Sequence, residues 1–157
     1  SKLFEGVVVK DLLGSCFVSL LTGPGENHQR RLPELDGHQI VSARFHRGVL
    51  LVVGRPRGTQ RHRLDRFVIR FGADMDGYDV RVDEDVASAD IEMVVLERGV
   101  CIQQSDDGAL ELFHRDPGSS EIKVLRDDLL DGGWTLSSDG ASLQAARGAC
   151  LYELRMS

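Results

Sequence analysis

One short pattern constrains this chain more than any other feature: a charged residue, then a glycine, then a small apolar residue. It stands at Glu5-Gly6-Val7, Arg47-Gly48-Val49, Arg98-Gly99-Val100 and Arg147-Gly148-Ala149, with glycine-to-glycine spacings of 42, 51 and 49 residues. A recurrence at that period marks one supersecondary unit used several times. An apolar run precedes the glycine at 40–45 and 91–96. Another follows it at 7–9, 49–53 and 100–102. A third run comes next, at 16–21, 67–71 and 110–113, and a more polar fourth closes each unit, at 30–35, 78–82 and 121–125. The runs are short, rich in Val, Ile and Phe, and bounded by Gly, Pro, Asp and Ser, which is how strands and tight turns read. Asp-Gly steps at 36–37, 76–77, 107–108, 131–132 and 139–140 offer the positive-φ positions that hairpins use.

The pattern predicts an all-β chain of four-stranded antiparallel units, with approximate boundaries 1–36, 37–86, 87–130 and an incomplete 131–157, forming one segment over 1–157. No stretch carries a sustained 3.6-residue period. Asp127-Asp128-Leu129-Leu130 has room for one helical turn before Gly132-Gly133 stops it. Gly23-Pro24-Gly25 and Asp116-Pro117-Gly118 read as turns.

Two passages carry a resemblance. Leu35-Asp36-Gly37-His38-Gln39-Ile40-Val41-Ser42-Ala43-Arg44-Phe45-His46-Arg47-Gly48 is similar to the passage between blades of WD40-type β-propellers, where a Gly-His pair precedes the innermost strand. Leu136-Ser137-Ser138-Asp139-Gly140-Ala141-Ser142-Leu143-Gln144-Ala145-Ala146, followed by Leu151-Tyr152-Glu153-Leu154-Arg155, resembles the serine-rich Asp-Gly hairpin of the same family. Gly-His occurs once, and the Trp-Asp pair of that family is absent, with Phe113-His114-Arg115-Asp116 nearest to it. The resemblance implies degenerate blades, about three and a half of them, and a His38 that braces its blade through hydrogen bonds. Such an arc leaves sheet edges open, so the remaining blades are expected from the same protein, a second copy or another subunit. The competing fold is a β-trefoil with three repeats of about 50 residues, which predicts carbohydrate or ligand pockets repeated once per unit. Aromatic residues, at 6%, do not recur at equivalent positions.

The chemistry-bearing candidates are few. Arg55, Arg57, Arg61, His62 and Arg63 crowd the loop between two runs, with Arg66 and Arg70 just beyond. Guanidinium forks pair bidentately with carboxylates and phosphates, so this loop is a candidate partner-binding element; its alternative is a hairpin tip paired with nearby acids. Asp74, Asp76 and Asp79, followed by Asp83-Glu84-Asp85, have some of the oxygen spacing of a calcium loop but not its full twelve-residue pattern, and read as an acidic turn, the other half of the candidate surface. No nucleophile elbow, Walker loop, dinucleotide fingerprint or metal-ligand spacing is present, so the chain is read as non-catalytic and without a cofactor.

Net charge is −6, which recommends neither nucleic acid nor an anionic membrane, and no apolar run reaches a membrane helix's length. Cys16, Cys101 and Cys150 are scattered and odd in number. They read as small buried hydrophobes in a reducing, cytoplasmic setting rather than as a disulfide scaffold or zinc site. Trp134 is expected to be buried between blades. The expected role is that of an interaction, scaffold or sensor module binding protein, with a larger enzyme or regulatory complex as a possible setting. The chain begins without Met and ends on an unfinished unit, as a piece of something longer would.

Overall fold

The computed structural model describes residues 1–58, 62–104, 110–115, 122–125, 135–139 and 141–155. The chain is all-β: among these residues run fifteen strands, no α-helix and one 3-10 turn. The strands form four antiparallel sheets of consecutive strands. Two compact units, Ser1–Ala89 and Asp90–Ser157, hold two sheets each.

In the first unit, β1 (Lys2–Phe4), β2 (Val7–Leu12), β3 (Ser15–Gly23) and β4 (Glu26–Arg31) form the first sheet. β5 (His38–His46), β6 (Val49–Pro56), β7 (Asp65–Phe71) and β8 (Tyr78–Asp83) form the second. Two of the hairpins turn on two residues that both have positive φ: Leu13 and Gly14 at 54° and 86°, and Arg47 and Gly48 at 48° and 81°. That is the turn whose twist matches antiparallel strands.

The two sheets share one core. Side chains alternate across a strand, so Val7 and Val9 of β2 and Cys16, Val18 and Leu20 of β3 enter it from the first sheet. Ile40, Leu50, Val52, Phe67, Ile69 and Phe71 enter it from the second. Leu32 and Leu35 close it, both fully buried. Each large side chain removed from water here contributes about 1.5–3 kcal/mol. A backbone stitch joins the sheets beside this core. The Phe45 amide donates to the Glu5 carbonyl at 2.9 Å, and Glu5 and Arg44 form a parallel bridge. Gly6 makes that approach possible. It sits at φ +76°, and a Cβ there would lie 2.3 Å from the Phe45 carbonyl oxygen.

Three details differ from the sequence reading. The fourth strand of the first unit is Glu26–Arg31, not 30–35, and Pro33–Leu35 is the 3-10 turn. Proline has no amide to give a ladder, and the turn after Gly23 starts the strand early. The 74–77 turn takes its positive φ at Met75, 64°, and not at Gly77. Cys150 is exposed, whereas Cys16 and Cys101 are buried.

In the second unit, β9 (Ile91–Val95), β10 (Gly99–Gln104), β11 (Leu110–His114) and β12 (Ile122–Leu125) form the third sheet. β13 (Thr135–Ser138), β14 (Ser142–Arg147) and β15 (Cys150–Arg155) form the fourth. Leu96, Cys101, Leu110, Leu112, Leu143 and Ala145 make this unit's core. The glycine pattern changes place here. Gly6, Gly48 and Gly99 lie at the first hairpin of their sheets, whereas Gly148 lies at the second hairpin of the fourth sheet, between β14 and β15. The first hairpin of that sheet is the Asp139 turn. The Asp139 carboxylate accepts from the Ala141 amide at 3.0 Å, the Ser142 amide at 2.9 Å and the Ser142 hydroxyl at 3.2 Å. These donors hold the Asp139 carboxyl below the usual carboxylate range. The helical turn at 127–130, Trp134, the Asp116-Pro117-Gly118 turn and the Asp-Gly glycines at 108, 132 and 140 lie outside the described residues.

Candidate interaction surface

The arginine-rich loop joins β6 to β7, and the acidic turn joins β7 to β8, so both belong to the second sheet. Arg61 lies outside the described residues. His62 is exposed. Arg57 crosses to the first sheet, where its guanidinium pairs with Asp11 of β2 while its amide donates to the Gly37 carbonyl at 2.9 Å. Arg55 is half-buried, and its Nε is buried without a hydrogen-bond partner among the described residues.

Arg63 turns inward to Asp65, a side chain the sequence reading did not single out. Asp65 is nearly fully buried. It accepts from Arg63 Nε at 2.9 Å and Nη2 at 3.3 Å, and from the Asp85 amide at 3.1 Å. His38 Nε2 lies 3.3 Å from its other oxygen. Burial pushes the Asp65 carboxyl up, but Arg63, the Asp85 amide and His38 together outweigh it and hold the group below the usual carboxylate range. In return, the Asp65 hydrogen bond raises Arg63 above its ordinary value. The His38 ring nitrogens face acceptors on both sides, the Asp36 carbonyl at 3.2 Å and Asp65 at 3.3 Å. An imidazolium satisfies both, a neutral ring one. The ring also meets Phe67 edge-on, with centroids 4.9 Å apart. His38 therefore ties the start of β5 to the start of β7.

β7 presents Phe67, Ile69 and Phe71 to the core and Arg66, Val68 and Arg70 to the opposite face. The β7–β8 register places Arg66 opposite Asp83 and Arg70 opposite Asp79. Arg66 reaches Asp83 through Nε at 2.9 Å and Nη2 at 2.6 Å. Arg70 grips Asp79 with Nε at 3.0 Å and Nη2 at 2.7 Å. Both guanidinium side chains are at most one-tenth exposed. Each guanidinium is buried while its carboxylate is partly exposed, and such pairs are destabilising to break on one side only.

The acidic residues do not converge. Asp79 is held by Arg70. Asp74 accepts from the Asp76 amide at 3.1 Å within its own turn. Asp76 faces Arg30 of β4 at 3.6 Å. Arg30 also donates to the Met75 carbonyl from Nε at 3.2 Å and Nη2 at 2.8 Å, which fixes the strained Met75. Among the described residues, no group of three or more His, Cys, Asp or Glu side chains is gathered to hold a metal ion.

A cavity of about 180 Å³ lies between the first two sheets, lined by Lys2, Asp11, Cys16, His38, Gln39 and Arg57 among others. Its thiol is a poor nucleophile: burial, then the Asp36 and Asp11 carboxylates, push Cys16 up to about 11. Burial likewise pushes Cys101 up to about 12.

The structure thus splits the sequence candidates. Arg63 and Asp79 are structural members of ion pairs, and Asp74 and Asp76 shape a turn. Arg57 and His62 remain at the surface, Arg57 about half exposed beside Asp11. Among the described residues, no helix is long and apolar enough to cross a membrane. No protein-family model, curated protein or solved structure matches the chain.

Proposed function

We propose that the chain is a non-catalytic protein-interaction module, a segment of a WD40-like propeller completed by further polypeptide. The observation that carries this reading is the His38 brace. A Gly-His pair opens the four-strand second sheet, and its ring bonds a buried aspartate at the start of the third strand of that sheet. This is the bracing role that the resemblance implies. Four sheets, each of three or four consecutive strands, support blades over the three-fold repeat of a trefoil. A cytoplasmic setting belongs to the same proposal, supported by three cysteines that form no disulfide. An enzyme or regulatory complex containing this module would carry its chemistry on other polypeptide.

Exposed Arg57 and His62, with Arg61 between them in the sequence, are the proposed contact for an acidic protein partner. The test is affinity capture followed by measured binding of the captured partner to Arg57→Glu/Arg61→Glu. The expected result is at least a tenfold loss of affinity with an unchanged far-UV spectrum. Binding that survives the double reversal removes the loop as an interface.

A further inference from the structure

The cavity between the first two sheets has an apolar floor. Val9 and Cys16 of the first sheet, Leu35 of the 3-10 turn and Ile40 of β5 line it, each under one-tenth exposed. The Cys16 thiol adds no charge there. Burial, then the Asp36 and Asp11 carboxylates, keep it protonated at neutral pH. The mouth is polar. Lys2 stands opposite Val9 in the β1–β2 ladder, and Asp11, Gln39 and Arg57 complete the rim, all four exposed.

The charged acceptor of this lining is already in use. One Asp11 oxygen receives the Arg57 guanidinium, and the other accepts from the Gly14 amide at 3.1 Å. The His38 ring is committed too, between the Asp36 carbonyl and Asp65. What remains open is rich in donors. Lys2 has no ion-pair partner among the described residues. Arg57 meets Asp11 through Nη2, and its remaining guanidinium N–H groups have no partner among the described residues. Gln39 can turn either end of its amide to a ligand. Lys2 and Arg57 against Asp11 leave one positive charge at the mouth. Asp36, whose carboxylate accepts from the Cys16 amide at 2.7 Å, is balanced by Arg31 at 2.6 Å.

We propose that this cavity is a binding site for a small aliphatic monocarboxylate. The tail rests on Val9, Cys16, Leu35 and Ile40, and the carboxylate takes the Lys2 ammonium and a free N–H of Arg57. Apolar walls with a few convergent polar groups are the usual make-up of a small-ligand site. Volume sets the size. The cavity's 180 Å³ lies below the roughly 300–1,000 Å³ of drug-sized pockets. At about 30 Å³ for a water's share of liquid, it holds about six water-sized groups. A phosphate has no tail for the floor, and an amine would meet Lys2 with a like charge. The site goes beyond the loop contact and does not depend on the propeller reading.

The test titrates isovalerate into the intact, isotope-labelled chain and follows backbone amide shifts by NMR. Saturable shifts at Val9, Cys16 and Ile40 are expected, with a dissociation constant of about 1 mM, ordinary for a ligand this small. Isoamyl alcohol and inorganic phosphate are each expected to bind at least tenfold more weakly. Lys2→Met should weaken isovalerate at least fivefold at unchanged melting temperature, and Lys2→Arg should restore most of the loss. The absence of saturable shifts up to about 20 mM overturns the proposal. So does alcohol or phosphate that binds as tightly as the acid, or a Lys2→Met chain that binds as the wild type does. The site and the loop contact fail separately. A chain that never binds isovalerate, yet loses its captured partner on reversal of Arg57 and Arg61, removes the cavity site alone. Isovalerate bound by a chain whose partner ignores that reversal removes the loop contact alone.

Discussion

The first and second sheets are built alike and finished differently. Both are four-strand meanders, both contain a two-residue positive-φ hairpin, and both face one core. They part on their other faces. On the second sheet that face buries Val49, Leu51, Val53 and Val68, and Arg66–Asp83 and Arg70–Asp79 link β7 to β8 beside them. The first sheet leaves Leu3, Phe17 and Leu21 exposed beside Lys10 and Arg31. The lesson is that one ladder accepts two states of its second face: apolar side chains buried beside neutralised ion pairs, or apolar side chains left exposed.

That contrast can be broken from the second sheet, where the effects are largest. Arg66→Ala leaves Asp83 with Arg81 as its arginine partner and opens space where a buried side chain stood, and should cost about 3–4 kcal/mol, read as a fall in the urea midpoint. Arg31→Ala in the first sheet should cost under about 1 kcal/mol, since Arg31 is half exposed and its ion pair is with Asp36, itself partly exposed. Equal losses would erase the distinction drawn here. Next in size is Gly6→Ala, which meets both a positive φ and the Phe45 carbonyl. A loss of about 3 kcal/mol is expected, whereas Gly14→Ala, with open space around it, should cost only about 1 kcal/mol.

Asp65→Asn should cost about 2 kcal/mol at neutral pH, through a buried charged acceptor lost to Arg63 and His38. Its pH signature sharpens the point. The folded-state pKa of Asp65 is depressed, so its contribution is present above the ordinary carboxylate pKa of about 3.9 and fades as pH falls through the lowered value. Acid unfolding curves of wild type and Asp65→Asn should converge once pH has fallen through that lowered value; a gap that stays constant into acid would show that the carboxylate is not the source. The smallest effect expected is a gain. Leu13 is fully exposed at φ 54°, and Leu13→Asn should add about 0.5–1 kcal/mol, seen as a small rise in melting temperature.

Much of this fold was legible because turns and runs are local. The apolar run 49–53 and the alternation through Phe67 and Phe71 mark β6 and β7 directly, and Gly48 marks the hairpin before β6. The end of the first unit was harder to place, because an apolar Leu32 and Leu35 suggest a strand while Pro33 forbids one. The site was legible only in part. The arginine cluster stands out as a run of like residues, but its meaning depends on register. Arg66 meets Asp83 and Arg70 meets Asp79 only once β7 and β8 are paired, and Arg57 finds Asp11 from 46 residues away. Asp65 hides within the basic loop as one more charged residue. Its burial and its link to His38, 27 positions back, are tertiary facts.

The stitch at Gly6 has a mechanical consequence. The two sheets of the first unit are not held by side-chain packing alone, because Phe45 and Glu5 join their backbones by a 2.9 Å hydrogen bond. Packed faces can slide by small steps as side chains change rotamer. A backbone bond set against a glycine with no room for a side chain cannot, so it acts as a registration pin. Tension applied across the first unit would load that pin before it parted the oily layer. A single-molecule pulling trace should therefore show a brittle first break, not a gradual yielding.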